Sequence, residues 1–546
     1  MQLSQTTLAE TQPIFLLRID FYGKIIGVAS FPLTYDDQEY TGGLVDFVFE
    51  EKSELLGLDL QSNAFSTAVY IDGMNVIEEW RKGRGFEGLA ATVSYVLSRN
   101  GVIIDASEQI ILSGLIQQPV FGDPEMHVSF VSFSVERKPI DAGKPIIEAD
   151  ESIDKVKFAF LDEETASGKF YPTIIGQAGY IRDGDDVREI FATPAYNIKK
   201  YNLGSPSHDV YFMVAGHECA AETIKIWDGT KTPISKTLLQ GQDVNGKKYS
   251  YVNMNGEAFL YPAYTSLAQD AVQPSSFWVT WPDKGGKRNP FGTGVLQGGG
   301  DICRWALMTA GIPLDHGAWA NAGVILNEYI FAGYINEPVD TWEWLQNNIL
   351  PYLPIEVKTG EKGVYPVLNQ FVALQNVQPV ASIMQGNDFL QVSAIETSTD
   401  TSEIINACTV SFALNSAKDA YAATTRIAPN SENADGDAQN NFAQSSFNRF
   451  GLHEINLELP FVYERKTAHR IASDFIRARC FAKRTIEYCA AAEYGYLKIG
   501  DVITLTDNNL FFDDLPCTIV RKAYENTKWY YTLQFEDTPL VISRHF

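Results

Sequence analysis

Between Glu464 and Asp507 the hydrophobic period changes, and that change restricts what this chain can fold into. The stretch opens with ERKTAHRIASDFIRARCFAKR, where Ala468, Ile471, Ala472, Phe475 and Ala478 recur at three- and four-residue spacing. Such spacing predicts an amphipathic helix over 464–481, with Lys466, Arg470 and Arg477 on its outer side and Arg465 and Arg479 nearer the seam. Thr485 to Cys489 then reads as a β run, and YLKIGDVITLTDN (496–508) sets Gly500-Asp501 at a turn leading into a half-buried strand. The unit predicted is a helix packed on a small β-barrel. Nothing in it looks catalytic.

The rest of the chain follows the shorter period. IFLLRIDFYGKIIGVASF predicts a long hairpin with its tip at Gly23-Lys24, and LVDFVFEE, STAVYIDG, LAATVSYVLS, EQIILSGLIQQPVF and HVSFVSFSVERKP supply further strands. MNVIEEWRKG (74–83) reads as a short helix among them. KPIDAGKPIIEADESIDK reads as an acidic linker, followed by a second β-rich unit with turns at Asp228-Gly229 and Asn245-Gly246. The texture then becomes mixed: a strand FWVTW, a flexible loop GTGVLQGGG, a helix DICRWALMTAGIP stopped at Gly311 and Pro313, and a helix TWEWLQNNILPYLP. β signals return after 371, interrupted by a polar stretch at 427–449 that reads as a long loop. The fold class predicted is mainly β (α+β) and multidomain. Its expected units are an N-terminal barrel (1–145), a β-rich insertion (150–270), a mixed α/β lobe (271–370) and a second barrel (371–546) carrying the helix and a C-terminal hairpin.

A chain of 546 residues exceeds what a single core of about 250–300 residues supports. Its 32 Phe and 26 Tyr suit β-rich architecture. A formal charge of −25 argues against gripping nucleic acid through its phosphates and would repel DNA passing nearby. MQLSQTTLAETQP lacks the basic and apolar regions of a signal peptide, and no apolar run reaches the roughly 18–20 residues of a membrane span. Six cysteines lie far apart without a CxxC, which points to buried thiols in a reducing compartment.

Each motif that could carry chemistry has a plainer reading. Gly292, Gly294 and Gly298–Gly300 precede a helix, but the GxGxxG spacing of a dinucleotide loop is absent, so a mobile connector is expected. His217-Glu218 has no second His four residues on, and alternation sends His217 and Cys219 to one packed strand face rather than into a nucleophilic pair. Glu432, Asp435 and Asp437 could ligate Ca²⁺, but the EF-hand spacing is not met. The sequence therefore supplies no catalytic, cofactor or metal residue, and no enzyme is expected. Two other readings remain: a hydrolase of cell-surface glycan using carboxylates in 156–370, and a receptor- or carbohydrate-binding module using the Trp/Tyr-rich stretch 276–352.

The order strand (EINLELPFV), helix (TAHRIASDFIRAR), β run and YLKIGDVITLTD resembles the C-terminal part of tailed-phage hub proteins: baseplate hubs of contractile tails and tail-tip attachment proteins of siphophages. Ala468, Ala472, Arg477, Gly500, Asp501, Val502 and Ile503 carry the match, and GKFYPTIIGQ with VYFMVAGHECAAETIKIWDG is similar to a middle segment of the attachment proteins. The resemblance implies two tail-tube-like barrels per subunit and a homotrimer whose pseudo-sixfold ring adapts a sixfold tube to a threefold tip. It implies as neighbours a distal tail protein or tube ring, a tip or central fibre protein and the tape measure protein. Genomic DNA would pass through the lumen without sequence-specific contacts. The expected place is the virion tail tip, after assembly in host cytoplasm. No peptidase or lysozyme module accompanies the match.

Overall fold

The computed structural model describes residues 11–52, 64–70, 82–99, 102–121, 125–132, 145–148, 150–183, 186–190, 193–199, 209–227, 234–254, 277–281, 284–360, 363–368, 379–397, 403–416, 418–429, 441–525 and 528–536. Within them the chain is mainly β and multidomain, built from curled, half-barrel sheets. The hairpin at its start shows how alternation sets the architecture. Thr11–Phe21 pairs antiparallel with Lys24–Ala29, and Tyr22 (φ 55) and Gly23 (φ 88) make the left-handed turn between Phe21 and Lys24. Phe15, Leu17, Ile19 and Phe21 face one side and enter the main β core; Ile14 and Leu16 face the other, where Tyr40 and Val96 cover them.

The two ends of the chain form one sheet. Sixteen strands belong to it, and it crosses from the first half-barrel to the last where Leu44–Lys52 pairs antiparallel with Phe512–Glu525. The register there is Tyr524 opposite Phe49 and Ala523 opposite Glu50. On the far side of the crossing lie Lys528–Glu536, Lys483–Ala490 and Phe389–Gln391; Val502–Asp507 pairs along the other end of Phe512–Glu525 and takes Ala381–Met384 in parallel on its outer edge. One apolar core runs through both halves, from Phe15, Phe49 and Tyr95 to Phe389, Tyr488 and Trp529.

Between these ends lie two further bodies. A seven-stranded antiparallel sheet runs in the order Ile234–Thr237, Thr223–Trp227, Phe277–Thr280, Thr193–Lys199, Tyr211–Ala215, Lys248–Asn253, Leu239–Gln242. It packs Val214, Ile224, Val252 and Trp281 on one face. The other body centres on helices Gly299–Thr309, His316–Leu326 and Thr341–Asn348, sharing a core with the three-stranded sheet Ala407–Asn415, Ala420–Ile427, Glu454–Leu459.

That core also takes the helix Arg465–Arg479. The sequence reading packs this helix on the barrel; instead Ala468, Ile471, Ala472 and Ile476 bury against the sheet of Cys408, Val410 and Phe412. The alanines leave room for the helix backbone to approach the sheet, and the barrel strand starts only at Lys483, after the helix has ended. Three other expectations change. The polar stretch ends in a helix, Asn441–Phe450, with Ala443 and Ser446 fully buried. His316–Leu326 is a helix that Gly317 and Gly323 conceal in the sequence. The second half of the acidic linker is packed rather than solvated, since Ile146, Ile147 and Ile153 are buried. The expected helix at 74–83 and the Asp228-Gly229 turn fall outside the described residues, apart from the exposed Lys82 and Gly83.

The main core tolerates little added volume where its halves meet. A Cβ on Gly495 would stand 2.5 Å from Tyr95 Oη and 2.6 Å from Trp529 Nε1, whereas one on Gly85 would meet nothing within 4 Å. Gly495→Ala should therefore cost about 1–3 kcal/mol and Gly85→Ala close to nothing, read from urea unfolding midpoints. Equal midpoints for the two variants would contradict this packing.

Candidate functional site

The crossing between the half-barrels is the most densely determined feature of the molecule. Around it, Phe15 stacks on Phe47 (centroids 3.8 Å apart), and Tyr524 meets Phe15 at 4.7 Å and Trp529 at 5.0 Å. Trp529 also reaches Phe49 at 6.1 Å and Tyr95 at 5.9 Å, so rings from five strands of both halves interlock. Polar groups seal the margin. Arg521 donates from Nε to Glu50 Oε1 (2.9 Å) and from Nη1 to Glu487 Oε1 (2.6 Å), linking both halves. Buried Lys522 donates to the Gly495 carbonyl (2.6 Å) with its ammonium 4.5 Å from the Trp529 ring centroid. This is structural chemistry: it locks the two halves of one sheet together.

The motifs named from sequence are brought to no common site. Of the glycine run, Gly298–Gly300 lead into the helix Gly299–Thr309 and are tightly packed, while Gly292 and Gly294 are exposed. Gly299 and Gly300 are buried, and a Cβ on Gly298 would meet the Asn327 side chain at 2.5 Å. Asn327 Oδ1 accepts from the Asp301 amide (2.9 Å), so these glycines let the helix start close to its neighbour rather than cradle a phosphate. Glu432, Asp435 and Asp437 lie outside the described residues. Among the described residues no three His, Cys, Asp or Glu side chains gather as a metal site requires.

His217 and Cys219 do share a buried face, with Sγ 3.8 Å from Nδ1. The Ile174 amide donates to His217 Nε2 (2.9 Å), which leaves the proton on Nδ1, 3.0 Å from the Glu218 carbonyl. Burial, aided by the Lys287 charge, lowers the imidazole to about 3, and burial raises the Cys219 thiol to about 12. A nucleophilic pair needs a thiolate and a base; this pair holds a thiol and a satisfied neutral imidazole. The Trp-rich stretch is likewise core: Trp281, Trp305, Trp319, Trp342 and Trp344 are all buried.

On the basic helix face, Arg470 is used within the chain. Arg470 pairs with Glu328 and lies 5.2 Å over the Tyr329 ring, while the Tyr329 hydroxyl donates to Asp474. Burial raises Asp474 to about 6 against the pull of Tyr329, Arg470 and Arg477. Sequence periodicity placed Arg470 on the outer face but had no means of finding Glu328, which comes from the turn after His316–Leu326.

No family model matches the chain, and no curated protein matches it. Among solved structures it is similar to the 43 kDa tail protein of prophage MuSo2 from Shewanella oneidensis, at 10% identity and TM-score 0.37, over 97% of this chain and 99% of that one. It is also similar to prophage tail protein gp18 from Listeria monocytogenes EGD-e, at 7% identity and TM-score 0.33, over 98% and 97%. A third similarity is to a chain in the virion of a native gene transfer agent particle, at 12% identity and TM-score 0.19, over 45% and 80%. Among the described residues no helix is long and apolar enough to cross a membrane.

Two measurements check this site chemistry. All six cysteines are free and buried, so Ellman's reagent should find no reactive thiol in the native chain at pH 8 and six after denaturation. A native thiol count of one or more would contradict the packing. Asp474 has a folded pKa of about 6 against an ordinary 3.8. The folded chain therefore binds this proton more tightly than the unfolded chain, and the carboxyl costs stability progressively as pH rises through that window. Asp474→Asn keeps the acceptor for Tyr329 and should be more stable than the parent by about 1–2 kcal/mol at pH 7, with the difference fading towards pH 4. Unfolding curves at both pH values decide it; an Asn variant weaker at pH 7 would refute the burial argument.

Proposed function

We propose that this chain is a structural tail protein of a tailed phage or prophage, and specifically the hub whose trimer adapts a sixfold tail tube to a threefold tip. The observation that carries the proposal is the pairing of Leu44–Lys52 with Phe512–Glu525. It lays two half-barrels edge to edge in one sheet within one polypeptide. Three such chains supply six units around an axis, which is what a threefold component needs to sit on a sixfold tube. The match in residues 454–507 to the C-terminal part of hub proteins supports the same reading.

In this proposal the half-barrels fall within 1–145 and 371–546, and the insertion (150–270) and mixed lobe (271–370) project from the ring. The ring contacts a distal tail protein or tube ring on one side and a tip or fibre protein on the other, with the tape measure protein and then DNA in the lumen. The formal charge of −25 suits a conduit that repels DNA rather than holding it. The chain acts without catalysis, from an address in the virion reached by assembly in host cytoplasm. Arg470 of the basic helix face pairs with Glu328 of its own chain, and Lys466 and Arg477 of the same face remain at the surface as candidate contacts between copies.

Imaging of assembled tails, with the symmetry resolved at this protein's position, tests the proposal. Three copies around the axis are expected. A single copy per particle, or a ring of six identical chains, would overturn it.

A further inference from the structure

The insertion sheet presents a row of aromatic rings that pack against its core but are only partly covered by it. Tyr249 and Tyr251 alternate onto one face of Lys248–Asn253, and the register sets Met213 and Leu239 opposite Tyr251, Gly241 opposite Tyr249, and Tyr211 opposite Asn253 and Lys199. At the inner end this face is closed, since Met213 is fully buried with Phe158 and Tyr171. Outward from there the rings emerge: Tyr249, Tyr251 and Tyr211 are half-buried and Leu239 is 37% exposed. Tyr211 and Tyr251 stand 4.9 Å apart at 50°, and Tyr251 and Tyr249 stand 5.7 Å apart at 48°. The row is therefore a shallow curved trough rather than a stack. Gly241 makes its floor: a Cβ there would lie 2.6 Å from Tyr249 Cζ, so that ring rests on bare backbone.

A hydrogen-bonding rim stands at the open end. Asp209 Oδ1 accepts from Asn253 Nδ2 (2.9 Å), Lys199 Nζ lies 3.7 Å from Asp209 Oδ2, and the same ammonium sits 4.4 Å from the Tyr211 ring centroid. The Tyr249 and Tyr251 hydroxyls hydrogen-bond to no described residue, and burial raises both phenols, which keeps them protonated donors at neutral pH.

We infer that this trough is a binding site for a neutral glycan. Phenol rings offer apolar faces to the C–H side of a pyranose; the Tyr249 and Tyr251 hydroxyls remain available as donors, while that of Tyr211 donates to Asp209 Oδ2 (3.5 Å). A carboxylate, an amide and an ammonium clustered beside them match the mixed donors and acceptors of sugar hydroxyls. The spacing of successive rings is comparable with the repeat of a hexopyranose chain. Apart from Leu239 the exposed row carries no aliphatic side chain, so its apolar surface is almost wholly ring face. Lys199 is already engaged by Asp209, and a chain of −25 repels acidic sugars, which leaves neutral hexose or N-acetylhexosamine oligomers as the ligand class. This inference stands apart from the hub proposal, because the sheet is separate from the half-barrels.

The full chain should be screened on an array of neutral hexose and N-acetylhexosamine oligomers, and each hit measured by titration calorimetry. A hit should lose about tenfold in affinity with Tyr251→Ala and with Tyr211→Ala, keep most of it with Tyr251→Phe, and melt as the parent does. Three outcomes would overturn the inference: no array member binding, hits indifferent to both Ala variants, or Ala variants that instead disperse an oligomer, which would make the trough a protein interface.

Discussion

The strand pairing at the crossing joins Glu50 to Arg521 across 471 positions, and the other parts of the molecule hang from it. Closing a loop of that length costs about 5 kcal/mol in chain entropy, and the cost grows only slowly with insertion size. Against it stand Phe49, Tyr95 and Trp529, each with 1% or less of its surface exposed and each contributing on the order of 1.5–3 kcal/mol. Three rings are enough to offset the closure, before the strand hydrogen bonds are considered. The margin explains the layout: once the ends are clamped, the segment between them can carry a seven-stranded sheet and a helical lobe with little further entropic cost.

Elements whose signals are local were legible. The opening hairpin follows from unbroken alternation with Gly23 at the tip, and the helix Gly299–Thr309 ends where Gly311 (φ 77) and Pro313 require. What could not be read was partnership. Nothing in LVDFVFEE says that its neighbour is the final hairpin, because alternation fixes which face of a strand is buried but not which strand lies beside it. The same limit misplaced the helix Arg465–Arg479: its stripe of Ala and Ile was identified, but whether a barrel or the sheet of Ala407–Asn415 receives it is a long-range fact. Asn441–Phe450 was hidden differently. Its burial rests on Ala443 and Ser446, small residues whose contribution to periodicity is faint in a run of Asn, Gln and Ser.

At His217 and Cys219 the residue types were legible, but their chemistry is set by burial, which a sequence does not display. His217, Cys219 and Lys287 have the residue types of a reactive cluster, yet each is shifted towards its neutral form by desolvation. The trough of Tyr211, Tyr249 and Tyr251 went unnoticed for the opposite reason. The alternation in KYSYVN was visible, but a tyrosine on a strand usually signals core, and only the extent of the covering segment 145–171 decides where core stops.

The use of Arg470 within the chain bears on how copies of this protein meet. Arg470, from the most regular basic surface in an acidic sequence, pairs with Glu328 and covers Tyr329, and Arg521 is held between Glu50 and Glu487. In the proposed trimer, where each chain carries a net formal charge of −25, copies would repel at long range. Cohesion between them must then come from short-range terms: edge hydrogen bonds and apolar burial of the kind seen at Leu44–Lys52 and Phe512–Glu525. Those terms persist where salt screens charge, and screening also removes the repulsion. An assembly built this way is strengthened by ionic strength rather than loosened by it, the reverse of one held by surface ion pairs.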